Sequence, residues 1–200
     1  MDNSLVFLND DPLIAYYKKV ITSEECHELI KLAQNKLEPA KVMGNSHLEI
    51  SNVRKSDHAW FKHNSNELIH RICNRIAFII NYPLDYAEQL QIAKYQAEGK
   101  FDAHFDTFDN FTELGKRNIL EKGQRIITAL LYLNDVHSGG ETSFPVLDVK
   151  VRPSKGSLLI FENCKKGTDE RHLSSIHEGG LVKKGEKWIA TLWFHKQKQY

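Results

Sequence analysis

The stretch Tyr95-Gln-Ala-Glu-Gly-Lys-Phe-Asp-Ala-His-Phe-Asp106 ends in His104-x-Asp106. Side chains alternate along an extended strand, so residues two apart share a face and this spacing sets an imidazole beside a carboxylate. Two such ligands and one later histidine would form a facial triad, which leaves half of an octahedral metal ion open. Alone, the pair is weak evidence, since two polar residues at alternate strand positions usually form a solvated face. The chain has ten histidines from which the third ligand must come.

Upstream of this stretch, Leu90 to Tyr95 alternates, with Leu90 and Ile92 on one face and Tyr95 on the other. Gly99 marks a turn or bulge. Downstream, residues 107–123 read as a polar loop, either a lid or a solvated connection. Arg125 to Leu133 is the strongest strand pattern, with Thr128, Leu130 and Tyr132 on one face. Asn134-Asp135 and Gly139-Gly140 turn the chain into Glu141-Thr142-Ser143-Phe144-Pro145. Further strands are expected at Val146 to Val151 and Ser157 to Glu162, then a second loop at residues 163–175. The last pair, His177 to Leu181 and Trp188 to Phe194, is expected to form a hairpin through Lys183-Lys184-Gly185-Glu186.

The amino-terminal part reads differently. Thr22-Ser23-Glu24-Glu25 has the form of a capping box, followed by Cys26, Leu29, Ile30, Ala33 and Leu37 at helical spacing. Residues 38–63 are mixed and polar, with a turn at Gly44-Asn45-Ser46 and the segment Ser51-Asn52-Val53-Arg54-Lys55-Ser56. A second helix is expected from about Asn64-Ser65-Asn66-Glu67, carrying Ile69, Ile72, Cys73, Ile76 and Ile80, and ending before Pro83. Two helices followed by about eight short strands imply an α+β chain. The expected core is a double-stranded β-helix (jelly roll) with the N-terminal helices packed on one sheet. Residues 1–200 are read as one domain, with helical support over 12–82 and the jelly-roll core over 86–197.

Composition narrows the class. Two hundred residues at 41% hydrophobic suit one domain with a full core. Lys+Arg 27 against Asp+Glu 26 leaves a net charge of +1, so no basic field points to nucleic acid. Cys26, Cys73 and Cys164 are odd in number and lack zinc-type spacing, as expected for reduced thiols in a cytoplasmic protein. Met1-Asp2-Asn3-Ser4 has no basic leader pattern, and no apolar run reaches the length of a membrane span. Neither a nucleic-acid nor a membrane partner is expected, and the pattern sets no oligomeric state.

For the third ligand, His27 and His70 fall on helix surfaces, while His47, His58 and His63 lie in the irregular segment. His137 sits in a turn and His172 in the second loop. His177 begins a C-terminal strand ten residues before Lys187. Lys187 shares strand parity with Thr191, Trp193 and His195, so the four could line one wall of a cavity. Its bland alternative is a surface lysine in the Lys-Lys-Gly-Glu-Lys turn.

Tyr95-x-x-x-Gly99-x-x-x-x-His104-x-Asp106, Arg125-Ile-Ile-Thr-x-Leu-Leu-Tyr-Leu-Asn134, Gly139-Gly-Glu-Thr-x-Phe-Pro145, His177-Glu-Gly-Gly and Gly185-Glu-Lys-Trp188 together resemble the catalytic domain of prolyl 4-hydroxylases of the bacterial type. The likeness extends forward through Val53-Arg54-Lys55-Ser56 to Ser23-Glu24-Glu25-Cys26, nearly the whole chain. The resemblance implies an Fe(II)- and 2-oxoglutarate (2OG)-dependent dioxygenase. It would use O2 to form 4-hydroxyproline in a peptide or protein, releasing succinate and CO2, with ascorbate to restore oxidised iron. It implies His104, Asp106 and His177 as iron ligands and catalytic residues. Lys187 would pair with the distal carboxylate of 2OG beside the Thr142 hydroxyl, and Tyr95 would hydrogen-bond the cosubstrate. Thr128 and Tyr132 are further candidates for that pocket. Arg54, Ser56, Glu88, Arg125 and His195 match positions that contact the peptide, with Trp193 on the same wall. Glu88 differs in parity from Tyr95, so only a twist or bulge would turn it inward.

Two departures bear on the substrate and not on the metal. Phe101 stands where relatives often have tyrosine, and His177-Glu178-Gly179-Gly180-Leu181 replaces the usual Gly-Cys or Gly-x-Pro. Two other readings share much of the pattern. A hydroxylase of the same class acting on a free amino acid or another side chain would differ only in the substrate wall. A non-catalytic, metal-free or sugar-binding jelly-roll module would not need the full ligand set with Lys187. A zinc hydrolase lacks its His-Glu-x-x-His helix here.

Overall fold

The structure is a computed structural model that describes residues 5–40, 42–43, 48–49 and 53–200. The expected turn at Gly44-Asn45-Ser46, and with it His47, lies outside the described residues. The chain opens with a hairpin of β1 (Leu5–Asp10) and β2 (Leu13–Tyr17), followed by α1 (Ser23–Gln34) and β3 (Glu38–Pro39). A short ribbon of β4 (Val42–Met43) and β5 (Leu48–Glu49) precedes β6 (Asp57–Phe61) and α2 (Glu67–Ile80). Then come β7 (Leu90–Tyr95), β8 (Phe101–His104), α3 (Glu113–Lys122) and β9 (Arg125–Tyr132). The remaining strands are β10 (Ser138–Gly139), β11 (Thr142–Phe144), β12 (Val149–Val151), β13 (Leu158–Glu162), β14 (His177–Gly179), β15 (Val182–Lys184) and β16 (Lys187–His195).

An eight-stranded sheet runs β1-β2-β13-β9-β16-β7-β6-β3, and a four-stranded sheet runs β12-β11-β14-β8. The central strands of the larger sheet are covered on both faces, and their alternation divides two cores. Leu131, Trp188, Ala190, Leu192, Leu90 and Ile92 face the helices, where they pack with Leu29, Ile72 and Ile76. The alternate residues Tyr95, Leu130, Tyr132, Phe161 and Ile189 face the smaller sheet and pack with Phe144 and Val151. All nine residues of β16 are buried, as a strand between two layers requires. The functional pocket lies in this second interface.

Both N-terminal helices begin as their residues dictate. Thr22 Oγ1 accepts from Glu25 N (3.2 Å) and Glu25 Oε2 accepts from Thr22 N (3.0 Å), a reciprocal capping box. Asn66 caps α2, and Asn81 ends it in the left-handed region at φ 52°. Glu25 also ties the helices together, because Arg75 donates to both of its oxygens (2.8 and 3.0 Å) and Arg71 adds a longer contact (3.3 Å). Burial alone would raise the Glu25 carboxyl, but Arg75 and the Thr22 amide outweigh it and hold the group below its ordinary value.

Three expectations are corrected. Residues 113–122 of the expected polar loop form α3, capped by Thr112 and ended by Gly123 at φ 73°. Only Leu114 and Gly115 of that helix are buried, so caps rather than hydrophobic periodicity define it. Residues 12–82 supply β2, β3 and β6 to the larger sheet as well as the two helices. The expected C-terminal hairpin is absent: β14 pairs with β8 and β11, while β16 pairs with β7 and β9 in the other sheet. Alternation reports a strand's faces and not its neighbours, so the crossing through β15 left no trace in the pattern.

Replacing Glu25 removes the reciprocal half of the capping box and the anion that Arg75 pairs with, leaving Arg75 its bond to the Val20 carbonyl. Glu25→Ala should therefore lower stability by about 2 kcal/mol, read as a lower urea midpoint at unchanged slope.

Candidate metal centre and its pocket

In the smaller sheet β8 and β14 are antiparallel neighbours, and their register sets His104 directly opposite His177. The two rings lie 4.4 Å apart between centroids. Asp106 follows just beyond the end of β8 and is 8% exposed. One donor atom from each of the three residues falls within 4.8 Å of the others, the one such group among the described residues. His104 Nε2 is 3.7 Å from Asp106 Oδ1, and His177 Nε2 is 3.7 Å from Oδ2.

Backbone contacts assign the tautomers. His104 Nδ1 lies 2.8 Å from the Asp102 carbonyl and His177 Nδ1 3.0 Å from the Ser175 carbonyl. A carbonyl only accepts, so each Nδ1 carries the proton and each Nε2 keeps its lone pair for a ligand. Burial, with His104 beside it, lowers the His177 pKa to about 4, which leaves the ring neutral at neutral pH. Burial pushes the Asp106 carboxyl upward, but His177 and His104 outweigh it and hold the group well below the usual carboxylate range. Two imidazoles and one carboxylate on the wall of a cavity suit a divalent ion with an open face.

Lys187 lies across the same cavity, 3% exposed and directly opposite Tyr95 in the β16–β7 register. Its Nζ sits 5.7 Å from the Tyr95 ring centroid and 5.8 Å from that of Tyr132. Burial lowers its pKa to about 8, partly offset by Glu141, so it remains a cation at neutral pH. Among the described residues no carboxylate lies within ion-pair distance of it. Tyr132 donates to Thr142 Oγ1 at 2.8 Å, which frees the Thr142 proton to point into the cavity. The Thr128 hydroxyl is engaged instead by Asp106 Oδ2 at 2.7 Å.

The expected substrate wall forms two groups. Arg54 donates to Ser56 Oγ (3.0 Å) and Gln91 Oε1 (2.9 Å) and covers the Phe101 ring at 4.8 Å. Phe101 in turn stacks on His104 with centroids 3.5 Å apart. Thus the residue that departs from tyrosine forms an apolar layer between Arg54 and His104. In the second group Glu88 accepts both Arg125 Nε (2.5 Å) and Nη2 (2.9 Å), and its Oε1 lies 2.7 Å from His195 Nε2. Burial opposes ionisation of Glu88, yet Arg125 and His195 bring its pKa down to about 2. Glu88 lies ahead of β7, where Glu88 N bonds the Trp193 carbonyl, so the strand parity that counted against it does not apply.

Arg125 also lies over the rings of Trp193 (4.4 Å) and Phe108 (4.8 Å). The Trp193 indole N–H is buried without a partner among the described residues. Beyond these groups the cavity opens into a groove of about 1080 Å³ bordered by Trp60, Arg171 and Tyr200. Two residues of the site were absent from the sequence reading. Gln91 shares parity with Tyr95 on β7 and was findable from alternation. Asn163, one residue past β13, reaches Thr128 only through the fold.

Comparison with known proteins gives the family. The 2OG-Fe(II) oxygenase superfamily profile matches residues 90–195. A protein of Acanthamoeba polyphaga mimivirus is 34% identical over 191 residues, covering 94% of this chain and 77% of the relative. Prolyl 4-hydroxylase 2 of Arabidopsis thaliana is 32% identical over 211 residues, covering 94% of this chain and 69% of the relative. The viral collagen prolyl hydroxylase of Paramecium Bursaria Chlorella virus-1, solved as its 2OG complex, superimposes with a TM-score of 0.71 at 27% identity, covering 90% of this chain and 94% of that one. A profile spanning more than half the chain and relatives similar over most of their length place this protein in the 2OG-Fe(II) oxygenase superfamily, as a prolyl 4-hydroxylase family dioxygenase domain.

Proposed function

We propose that this chain hydroxylates a prolyl residue of a peptide or protein at C4, consuming 2OG and O2 and releasing succinate and CO2. The observation that carries the reading is Lys187, a buried cation without a counter-ion among the described residues, on the same cavity as His104, Asp106 and His177. A buried charge is unfavourable until paired, and the distal carboxylate of 2OG is such a partner. The groove that continues past the site favours an extended peptide over a free amino acid.

His104 Nε2, His177 Nε2 and the Asp106 carboxylate would hold Fe(II). When bound, the iron supplies the Lewis acidity and redox chemistry that couple 2OG decarboxylation and O2 to oxidation of a C–H bond. The protein's own residues bind and orient. Lys187 pairs with the distal carboxylate of 2OG, while Thr142 and Tyr95 donate hydrogen bonds and Tyr132 fixes the Thr142 hydroxyl. Arg125, held by Glu88 and His195, presents a rigid charged face to the peptide. Trp193 offers its indole N–H to a peptide carbonyl, and Arg54 with Ser56 borders the opposite side. The α3 segment and residues 163–175 flank the entrance and limit water. Ascorbate would restore iron oxidised in turnovers that do not reach substrate.

The described sheets are read as one jelly-roll domain over residues 1–200, with α1 and α2 on the outer face of the larger sheet. A cytoplasmic location is supported by three buried, free cysteines. No described helix is long and apolar enough to cross a membrane.

Succinate release across a panel of proline-containing peptides, with mass spectrometry of the products, tests the reaction. His104→Ala, Asp106→Ala or His177→Ala should abolish turnover, and normal succinate production by Asp106→Ala would refute the ligand assignment. Lys187→Ala should raise the apparent KM for 2OG by roughly 10- to 100-fold, the loss of one charge-assisted contact. Because the folded pKa of Lys187 is lowered to about 8, the ammonium exists below that pH. The wild-type KM for 2OG should therefore rise as pH increases through this value. Glu88→Ala leaves Arg125 and His195 without their anion and should cost about 3 kcal/mol of stability. It should raise the peptide KM with little change for 2OG. Since Glu88 titrates near 2 instead of 4.5, its contribution is fully present above pH 4.5 and lost as pH falls towards 2, which acid titration of wild type against the variant will read.

A further inference from the structure

We infer that Thr128 and Asn163 are positioning residues that hold the Asp106 carboxylate through a directed hydrogen-bond chain and leave one of its oxygens for the ion. This rests on the reading of His104, Asp106 and His177 as the metal centre. Thr128 Oγ1 lies 2.7 Å from Asp106 Oδ2, and Asn163 Nδ2 lies 2.8 Å from Thr128 Oγ1. Thr128 and Asn163 are 1% and 0% exposed, so water does not replace these contacts.

The proton direction follows from the groups. An ionised carboxylate only accepts, so Thr128 donates its single hydroxyl proton to Oδ2. Asn163 then fills the hydroxyl lone pair from its N–H. With the amide turned over, its Oδ1 would face Oγ1, and one proton would serve two acceptors. The observed orientation carries a cost: Asn163 Oδ1 is buried without a hydrogen-bond partner among the described residues, worth about 1–3 kcal/mol. That unmet acceptor is the counterpart of the fixed donor.

The backbone around Asn163 extends the device to a second ligand. Asn163 N bonds the Ile126 carbonyl at 2.8 Å, the Asn163 carbonyl accepts from His172 N at 2.9 Å, and the Ser175 hydroxyl donates to the His172 carbonyl at 2.7 Å. The Ser175 carbonyl accepts the Nδ1 proton of His177. Residues 163–175 thereby orient both Asp106 and His177. With Oδ2 engaged, the carboxylate presents Oδ1. A carboxylate freed from Thr128 loses that fixed orientation, and the ion must order it on binding.

The test is calorimetric titration of Mn(II) alone into metal-stripped protein, with thermal unfolding run in parallel. Thr128→Val keeps the shape and removes the O–H; its Mn(II) affinity should fall by about 10- to 100-fold. Thr128→Ser should restore it. Asn163→Asp keeps the shape but exchanges the donor for an acceptor, and should weaken Mn(II) comparably. A purely structural role would lower the melting temperature and leave the Mn(II) affinity of folded protein unchanged. Wild-type affinity in folded Thr128→Val and Asn163→Asp therefore overturns the inference, and if Thr128→Val does not fold, Asn163→Asp decides. Absence of Mn(II) binding by wild type would instead remove the metal-centre reading itself.

Discussion

The antiparallel pairing of β8 with β14 sets His104 across from His177, and the rest of the site is arranged around that register. Strand pairing fixes backbone separation, so the two imidazoles approach without either side chain having to reach. Each ring then gives its Nδ1 proton to a carbonyl two residues before it in sequence, Asp102 for one and Ser175 for the other. The repeated local contact leaves both Nε2 atoms directed towards the place where Asp106 arrives. A one-residue slip would send one histidine to the opposite face and dissolve the triad.

Charge is handled in two opposite ways within a short distance. Glu88, Arg125 and His195 form a buried cluster whose members satisfy one another, with Arg125 also lying over Trp193 and Phe108. Such a cluster is rigid and largely independent of ligand. Lys187 is 3% exposed, lies near the rings of Tyr95 and Tyr132, and has no carboxylate within ion-pair distance among the described residues. Burial lowers its pKa to about 8, partly offset by Glu141. One cation is thus neutralised within the fold and the other is not.

The larger sheet makes this separation possible. Its central strands bury one set of residues against α1 and α2 and the alternate set against the smaller sheet. The helix side packs a large apolar cluster, tied at its edge by Glu25 and Arg75. Polar residues on the other side can therefore be chosen for chemistry, because the opposite face supplies the hydrophobic burial that keeps each strand in place.

The sequence by itself determined the ligand types, the parity of Tyr95, Thr128, Tyr132 and Lys187, and the capped starts of α1 and α2. These are local properties: alternation follows from the extended backbone, and a cap needs only neighbours three residues away. The helix α3 buries too little to show a period in the sequence. Tertiary structure alone decided that β14 and β16 lie in different sheets, that Glu88 meets Arg125 and His195, and that Asn163 reaches Asp106 through Thr128. Those contacts join residues 22 to 107 positions apart, and hydrophobic periodicity says which face a residue occupies but not which distant residue waits there.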